Sequence, residues 1–173
     1  MANARLYIPK VLKWEGGFVN DKSDRGGATN KGVTIATFKS MGYDNDADKD
    51  IDIEDLKLLT NEQAYQIMKK LYWDKWKADF INNQSVAEQL VDWVWGSGYW
   101  GIKIPQIALG LKDDGIVGSL TLSAVNKANQ KEFHDLIKSE RIKFVNNIVK
   151  SNPSQKKFIR GWINRINDFR FIP

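Results

Sequence analysis

Apolar residues recur at helical spacing along most of this 173-residue chain, and the alternation typical of strands is scarce. Two segments, Thr60–Gln63 and Ser85–Glu88, match a capping box directly before an apolar helical pattern. Thr34 is placed to begin a further short helix that ends at Gly42. The sequence therefore predicts a mainly α-helical fold.

One segment departs from the helical pattern. An apolar helix face ends at Gly16-Gly17, and residues 18–32 are rich in Gly, Asp, Asn and Thr. This composition predicts turns or one small β-hairpin. A second glycine-rich break at residues 96–100 predicts a boundary between a lobe of residues 1–97 and a helical lobe of residues 98–173.

Composition excludes several kinds of chemistry. The chain is 42% hydrophobic, enough for a packed core, and it contains no cysteine and one histidine. It therefore has no disulfide, no thiolate nucleophile and no histidine cluster for a zinc amidase site. His134 lies between charged residues of a predicted helix, so we expect it at the surface.

Charge is distributed unevenly. Residues 1–100 carry 13 Lys and Arg against 15 Asp and Glu, whereas residues 101–173 carry 13 against 6. A basic second half favours an anionic partner, either nucleic acid or the bacterial wall. We find no signal-peptide pattern and no membrane span, so we expect cytoplasmic synthesis, release by a holin-type or other non-Sec route, action in the periplasm or at the wall, and a monomer.

The segment from Glu15 to Thr34 carries the chemistry. Glu15 ends an amphipathic helix directly after Trp14, and both the helix C-terminus and an apolar neighbour favour the protonated acid. Asp24 lies in a polar, glycine-flanked turn where a carboxylate stays ionised. Two carboxyl groups in contrasting surroundings suit glycoside hydrolysis, and the hydroxyl of Thr29 could position a water.

This segment resembles the signature of the muramidases of glycoside hydrolase family 108. The matching residues are Glu15 to Phe18 with Asn20, then Asp24 to Thr29, then Gly32 to Thr34. The spacing is also similar to the Glu, Asp and Thr of phage-type lysozymes, with one residue fewer between Asp and Thr. The resemblance implies a lysozyme-like helical fold with the hairpin near the active site. It also implies Glu15 as the catalytic acid, and Asp24 and Thr29 in the cleft.

The resemblance continues along the chain. Tyr72-Trp73 with Trp76 looks like the family's Tyr-Trp segment, and residues 92–98 resemble its Asp-x-x-x-Asn-x-Gly stretch, with Gly96 in the Asn position. Residues 114–122 resemble the Asp-Gly-x-x-Gly-x-x-Thr-Leu core of a peptidoglycan-binding region, and Gly161 to Arg165 resemble its closing helix. The resemblance implies peptidoglycan as the partner, and we expect Asn20, Asp92, Tyr99 and Trp100 to contact it.

Acidic residues between positions 44 and 55 follow the order of a calcium loop. Lys49 replaces the usual turn glycine, and Asp55 replaces the usual bidentate Glu. Either a structural Ca²⁺ or a solvated acidic loop is compatible with this pattern; no cofactor is expected for catalysis. The candidate ligands are Asp44, Asp46, Asp48, Asp50, Asp52 and Asp55.

Three functions follow from these patterns. The first is a phage- or prophage-type bacteriolytic muramidase that cuts the β-1,4 bond between N-acetylmuramic acid and N-acetylglucosamine. The second is a wall-binding or secretion-associated module without catalysis, which the Gly96 departure supports. The third is a basic nucleic-acid binder, but no nucleic-acid-binding motif is present and we expect no nucleic-acid partner.

Overall fold

The structure is a computed structural model that describes residues 1–20 and 27–173. These residues form two compact units. The N-terminal unit is Ala4–Leu71, and the C-terminal unit is Tyr72–Pro173 together with Met1–Asn3. The division thus falls at residue 71, whereas the sequence analysis places a boundary at residue 97. The difference arises because the helix Gln84–Ser97 packs against the helices that follow it.

The N-terminal unit contains four helices and one hairpin among its described residues. They are α1 (Ala4–Trp14), β1 (Thr29–Asn30), β2 (Val33–Thr34), α2 (Ile35–Met41), α3 (Ile53–Lys57) and α4 (Asn61–Met68). A π-helical turn, Lys69–Trp73, continues from α4. The two strands are antiparallel and pair Thr29 with Thr34 and Asn30 with Val33, which confirms the small hairpin predicted from the sequence.

The predicted helix ends in this unit are confirmed. The Thr34 hydroxyl accepts a hydrogen bond from the N–H of Thr37 at 3.2 Å, and α2 ends at Gly42 with a φ of 74°. Thr60 and Gln63 form both bonds of the capping box at the start of α4. Each cap satisfies backbone groups that a helix end would otherwise leave unpaired.

The core of the N-terminal unit lies beneath the hairpin. Ala28 precedes β1, Val33 lies in β2, and both are almost fully buried. They belong to one cluster with side chains of α2, α3 and α4 and of the turn after α3: Phe38, Leu56, Leu59, Ala64 and Ile67. Apolar burial of this kind stabilises the unit by about 25 cal/mol per Å² removed from water. The hairpin is therefore anchored to the helices by its inward-facing side chains.

The C-terminal unit is helical throughout. It contains a 3₁₀ turn (Ala78–Phe80), α5 (Gln84–Ser97), α6 (Trp100–Ala108), α7 (Ser119–Lys127), α8 (Gln130–Ser151), a second 3₁₀ segment (Pro153–Phe158) and α9 (Ile159–Asp168). Helix α5 is buried between its neighbours and packs on α6 and α8. Among the described residues, no helix combines the length and apolar character needed to cross a bilayer.

A close helix contact explains one glycine of this unit. Gly101 lies in the first turn of α6, and a Cβ atom there would lie only 2.4 Å from the backbone N of Val94 in α5. No side chain fits at that distance, so Gly101 allows α6 to approach the α5 backbone.

The capping box predicted at Ser85–Glu88 is wrong. Helix α5 begins at Gln84, and the side chain of Asn83 caps it by accepting from the N–H of Val86 at 3.1 Å. The Ser85 hydroxyl is buried and instead accepts from the N–H of Ile172 at 2.9 Å. The Ser85 hydroxyl is therefore bound to the C-terminal segment of the chain, a long-range contact that no local sequence pattern indicates.

The surface position predicted for His134 is also wrong. Its side chain is only 2% exposed and packs against the ring of Phe171, with ring centroids 5.7 Å apart. Burial lowers the pKa of His134, although a hydrogen bond with Asp135 acts in the opposite direction. Glu132 and Asp135, two charged residues close to it in the chain, are exposed, whereas His134 itself faces the interior.

Candidate active site

Glu15 lies at the C-terminal end of α1. Its backbone N–H donates to the carbonyl of Val11 at 3.0 Å, and its side chain is half-buried. The preceding Trp14 is 50% exposed, so its indole presents a broad apolar surface next to the acid in the chain. The structure thus places the predicted acid where the helix gives way to the glycine segment.

The two glycines after Glu15 lie in open surroundings. Neither Gly16 nor Gly17 has a positive φ, and a Cβ atom at either position would meet no heavy atom of the described residues within 4 Å. Neither backbone strain nor close packing within the described chain therefore requires glycine here. The described residues therefore leave the space beside this glycine pair unfilled.

The hairpin brings Thr29 next to the segment that follows Glu15. Val19 and Thr29 exchange two backbone hydrogen bonds of 2.8 Å and form an isolated antiparallel bridge. Asn20, predicted to bind substrate, follows this bridge and is exposed. The segment carrying Asn20 and the strand carrying Thr29 are therefore joined. Asp24, the second predicted carboxylate, lies outside the described residues.

The hairpin turn requires positive φ at both central residues. Lys31 has a φ of 50° and Gly32 a φ of 75°, which is the backbone of a two-residue type I′ turn. Glycine suits this conformation, whereas lysine adopts it less readily. The Nζ atom of Lys31 donates to the carbonyl of Leu59 at 2.5 Å, a contact that holds the turn against the helical part of the unit.

Asn30, next to Thr29 in β1, is a buried polar residue that the sequence patterns did not single out. Its side chain is 5% exposed, and Nδ2 donates to the carbonyls of Leu56 at 2.8 Å and Lys57 at 3.3 Å. Because side chains alternate along a strand, Asn30 points inward and Thr29 points to the other face. The one available signal was a polar residue at an inward position of the predicted hairpin.

The acidic loop, residues 44–55, folds around the Asp55 carboxylate. Asp55 is fully buried, and its oxygens accept from the backbone N–H groups of Asn45, Asp46 and Asp52, the last at 2.9 Å. Lys49 has the left-handed φ of 77° that the turn position of a calcium loop requires. The two departures from the calcium-loop pattern therefore have different consequences. Lys49 adopts the backbone conformation that the turn requires, whereas the Asp55 carboxylate already accepts hydrogen bonds from backbone N–H groups.

Two groups of carboxylates in this loop are close enough to share a cation. The first is Asp44, Asp46 and Asp48, which are exposed; the second is Asp50, Asp52 and Asp55; within each group one oxygen per residue lies within 4.8 Å of the others. Desolvation and neighbouring acids raise the pKa of Asp46, and repulsion by Asp48 is the main cause that raises the pKa of Asp50. The donor set fits a hard cation such as Ca²⁺, and its binding stays a prediction.

Tyr99 and Trp100, both expected to contact peptidoglycan, lie at the surface. Tyr99 is 68% exposed and Trp100 is 53% exposed, whereas Trp73 and Trp76 are fully buried. The Lys75 ammonium lies 5.8 Å from the centre of the Tyr99 ring. The exposed pair belongs to the C-terminal unit, and its contact with a glycan stays a prediction.

Asp92, also predicted to bind substrate, has a different environment. It is 1% exposed and lies between Arg141 of α8, which donates to Oδ2, and Arg165 of α9, whose Nη2 donates to Oδ1 at 2.9 Å. Burial raises its pKa, but the two arginines outweigh this effect and hold the pKa below its ordinary value. Asp92 therefore joins three helices and is not available to a substrate.

The Asp114–Gly118 motif forms a loop fixed from inside by Gln106. The amide N of this buried side chain donates to Asp114 Oδ1 at 2.9 Å and to the Ile116 carbonyl at 3.0 Å, and its Oε1 accepts from the N–H of Gly115 at 2.9 Å. Gly115 has a φ of 74°. The motif residues thus shape the loop, in which the apolar side chain of Ile116 is exposed.

Comparison with known proteins agrees with these features. The family model described as Glycosyl hydrolase 108 matches residues 8–98, and the model described as Predicted Peptidoglycan domain matches residues 100–167. The solved structure of Brucella abortus SagA is similar to this chain, with a TM-score of 0.78 and 28% identity over 96% of this chain and 90% of that one. The search of curated proteins gives no significant match.

The first family model covers more than half of the chain and contains the Glu15 segment and the hairpin. The second covers most of the helices that follow. The chain therefore belongs to the glycosyl hydrolase 108 family: it is a peptidoglycan hydrolase with a lysozyme-like helical fold, in which a peptidoglycan-binding region follows the catalytic region in the sequence.

Proposed function

We propose that this protein is an N-acetylmuramidase that hydrolyses the β-1,4 bond between N-acetylmuramic acid and N-acetylglucosamine. Glu15 donates a proton to the glycosidic oxygen as the bond from that oxygen to C1 of muramic acid breaks. Water then supplies the hydroxyl group to C1. Asp24 stabilises the developing positive charge or, with Thr29, orients the attacking water.

Support for this proposal comes from the end of α1, where the described residues leave space around the two glycines. Glu15 is followed by two glycines that the described fold does not require, since a Cβ atom on either would meet no described atom within 4 Å. A pair of glycines leaves room for a bulky sugar to approach the carboxyl group. The bridge between Val19 and Thr29 also pairs the hydroxyl-bearing Thr29 with the segment that follows the acid, which supports a role for Thr29 beside Glu15.

Binding of the wall would extend beyond the reacting bond. The exposed rings of Tyr99 and Trp100 offer faces on which sugars stack, and the exposed Asn20 offers an amide to sugar hydroxyls. The basic residues of the second half of the chain suit an anionic, carboxylate-rich wall. We therefore place the action of the enzyme at the cell wall.

Clearing of a suspension of purified peptidoglycan tests the role of Glu15. The change Glu15→Gln keeps the size of the side chain and removes the acid. Loss of general acid catalysis is expected to lower the rate of clearing by about 10²–10⁴-fold. The matched control is Glu54→Gln, because Glu54 is an exposed acid of the same unit that pairs with Lys57 at 2.6 Å.

The outcome is decisive when both variants keep the circular dichroism spectrum of the parent. Clearing by Glu15→Gln at the rate of Glu54→Gln would overturn the assignment. Retention of the parent on insoluble peptidoglycan without release of reducing ends would instead support a binding module that has no catalysis.

A further inference from the structure

Asn30 connects the candidate active-site hairpin to the end of a helix. Its amide nitrogen donates to two carbonyl groups at the C-terminal end of α3, those of Leu56 and Lys57. Carbonyls at a helix end lack partners within the helix and need donors from elsewhere. Lys31, the next residue, donates to the carbonyl of Leu59 just beyond the same helix. Two consecutive hairpin residues therefore bind the end of α3.

The position of α3 is in turn fixed at its beginning. The Asp52 side chain accepts from the N–H of Glu54 at 2.6 Å, and Asp55 accepts from the N–H of Asp52. Asp55 also accepts from the N–H groups of Asn45 and Asp46, which belong to the acidic loop. The hairpin is thus attached to a helix that is itself held by a buried carboxylate.

The anchoring of Asn30 determines where Thr29 lies. Thr29 precedes Asn30 in β1 and faces the opposite side of the strand. Its backbone is already held on both sides, by Val19 and by Thr34. Because the Asn30 side chain is bound to the end of α3, strand β1 is held in position and in orientation. The backbone from which the Thr29 hydroxyl extends is therefore fixed.

We propose that Asn30 is a positioning residue for glycan cleavage, which acts by holding the strand that carries Thr29. The inference rests on the proposed muramidase function. Asn30 is buried and touches no sugar in this role; it holds in place the residue that orients the water. Orientation of a reacting group is worth much in rate, and a misplacement of about 1 Å can cost roughly a hundredfold.

The test compares two amide-to-carboxylate changes. Asn30→Asp keeps the shape of the side chain and replaces the donor by an acceptor that faces two carbonyls. The matched control is Gln130→Glu, because the amide of Gln130 donates at 2.8 Å to the carbonyls of Val125 and Ala128 at the end of α7. The two variants remove the same kind of helix-end contact, but only the first touches the hairpin.

We expect Asn30→Asp to lower kcat for wall hydrolysis roughly tenfold to a hundredfold with little change in KM, and Gln130→Glu to leave kcat within about twofold of the parent. A protonated carboxyl group at position 30 could again donate to a carbonyl. The ratio of kcat between Asn30→Asp and the parent should therefore rise as the pH falls, whereas the ratio for Gln130→Glu should stay level.

A kcat for Asn30→Asp equal to that of Gln130→Glu, or a pH-independent ratio, would overturn the inference while leaving the muramidase proposal intact. A parent protein without wall hydrolysis would overturn both. If Asn30→Asp does not fold, Lys31→Met removes the neighbouring contact with Leu59 and is expected to lower kcat in the same direction. An unchanged kcat in that folded variant would contradict the proposal.

Discussion

Among the described residues, each unit buries one aspartate, and the two units balance its charge differently. In the N-terminal unit, Asp55 is surrounded by backbone N–H groups no more than ten residues away. In the C-terminal unit, Asp92 lies between two arginines that are 49 and 73 residues away. Neutral backbone donors fix the path of one loop, whereas distant cations tie separate helices together.

This difference predicts that removing the Asp92 carboxylate lowers the free energy of unfolding more than removing the Asp55 carboxylate does. Asp92→Asn leaves Arg141, which is 5% exposed, as a buried cation without its counter-charge. Breaking a buried ion pair in this way is expected to lower the free energy of unfolding by about 3–5 kcal/mol. Urea unfolding followed by circular dichroism measures the loss. Asp113→Asn, at an exposed position of the same unit, is the control, and a loss no larger than that of the control would contradict this account of Asp92.

The dependence of stability on pH sharpens the comparison. The pKa of Asp92 is lowered in the folded state, so its stabilisation is fully present above the unfolded value of about 3.9 and is lost as the pH falls through the folded pKa. The difference in unfolding free energy between the parent and Asp92→Asn should therefore shrink as the pH falls below about 4. A difference that stays constant down to acid unfolding would show that charge is not its cause.

Asp55→Asn is expected to cost less than Asp92→Asn. An amide oxygen still accepts from a backbone N–H, and no charged partner is left buried. The effect should be local: hydrogen exchange of the amides of Asn45, Asp46 and Asp52 should accelerate more than that of the α5 amides. The control is Glu54→Gln, in the same helix. If hydrogen exchange of these amides accelerated equally in both variants, the Asp55 carboxylate would not be what fixes the loop.

The smallest effect concerns the acidic loop. Repulsion by Asp48 raises the pKa of Asp50, so the ionised form of Asp50 disfavours the folded loop at neutral pH. A bound cation would relieve this repulsion. We expect about millimolar Ca²⁺ to raise the thermal midpoint of the parent by a few degrees and to have less effect on Asp48→Asn. A specific calcium site would be excluded if Ca²⁺ raised the thermal midpoint of both proteins equally. It would also be excluded if Mg²⁺ raised the midpoint of the parent as much as Ca²⁺ does.

Local signals predicted the features that local physics determines. Thr34, Gly42 and Thr60 could be assigned from the sequence because a cap is formed within three or four residues. The position of Glu15 at the end of α1 followed from the glycines after it. The hairpin followed from the turn-forming composition of its segment.

Long-range contacts account for what the sequence did not predict. Asp92 was assigned to the substrate from its place in the family-like stretch 92–98, and no local pattern indicates its two arginine partners, which are far away in the chain. Ser85 and His134 are both covered by residues near the C-terminus, Ile172 and Phe171. Helical spacing gives the faces of one helix but does not show which distant segment covers them.

As a muramidase, this protein would cut the glycan strand of peptidoglycan at C1 of muramic acid. Mass analysis of the fragments released from purified peptidoglycan, after reduction with borohydride, tests it most directly. We expect disaccharide fragments whose reduced end is N-acetylmuramic acid, and we expect Glu15→Gln to release none. Fragments with reduced N-acetylglucosamine, or released peptides with the glycan strand intact, would contradict it.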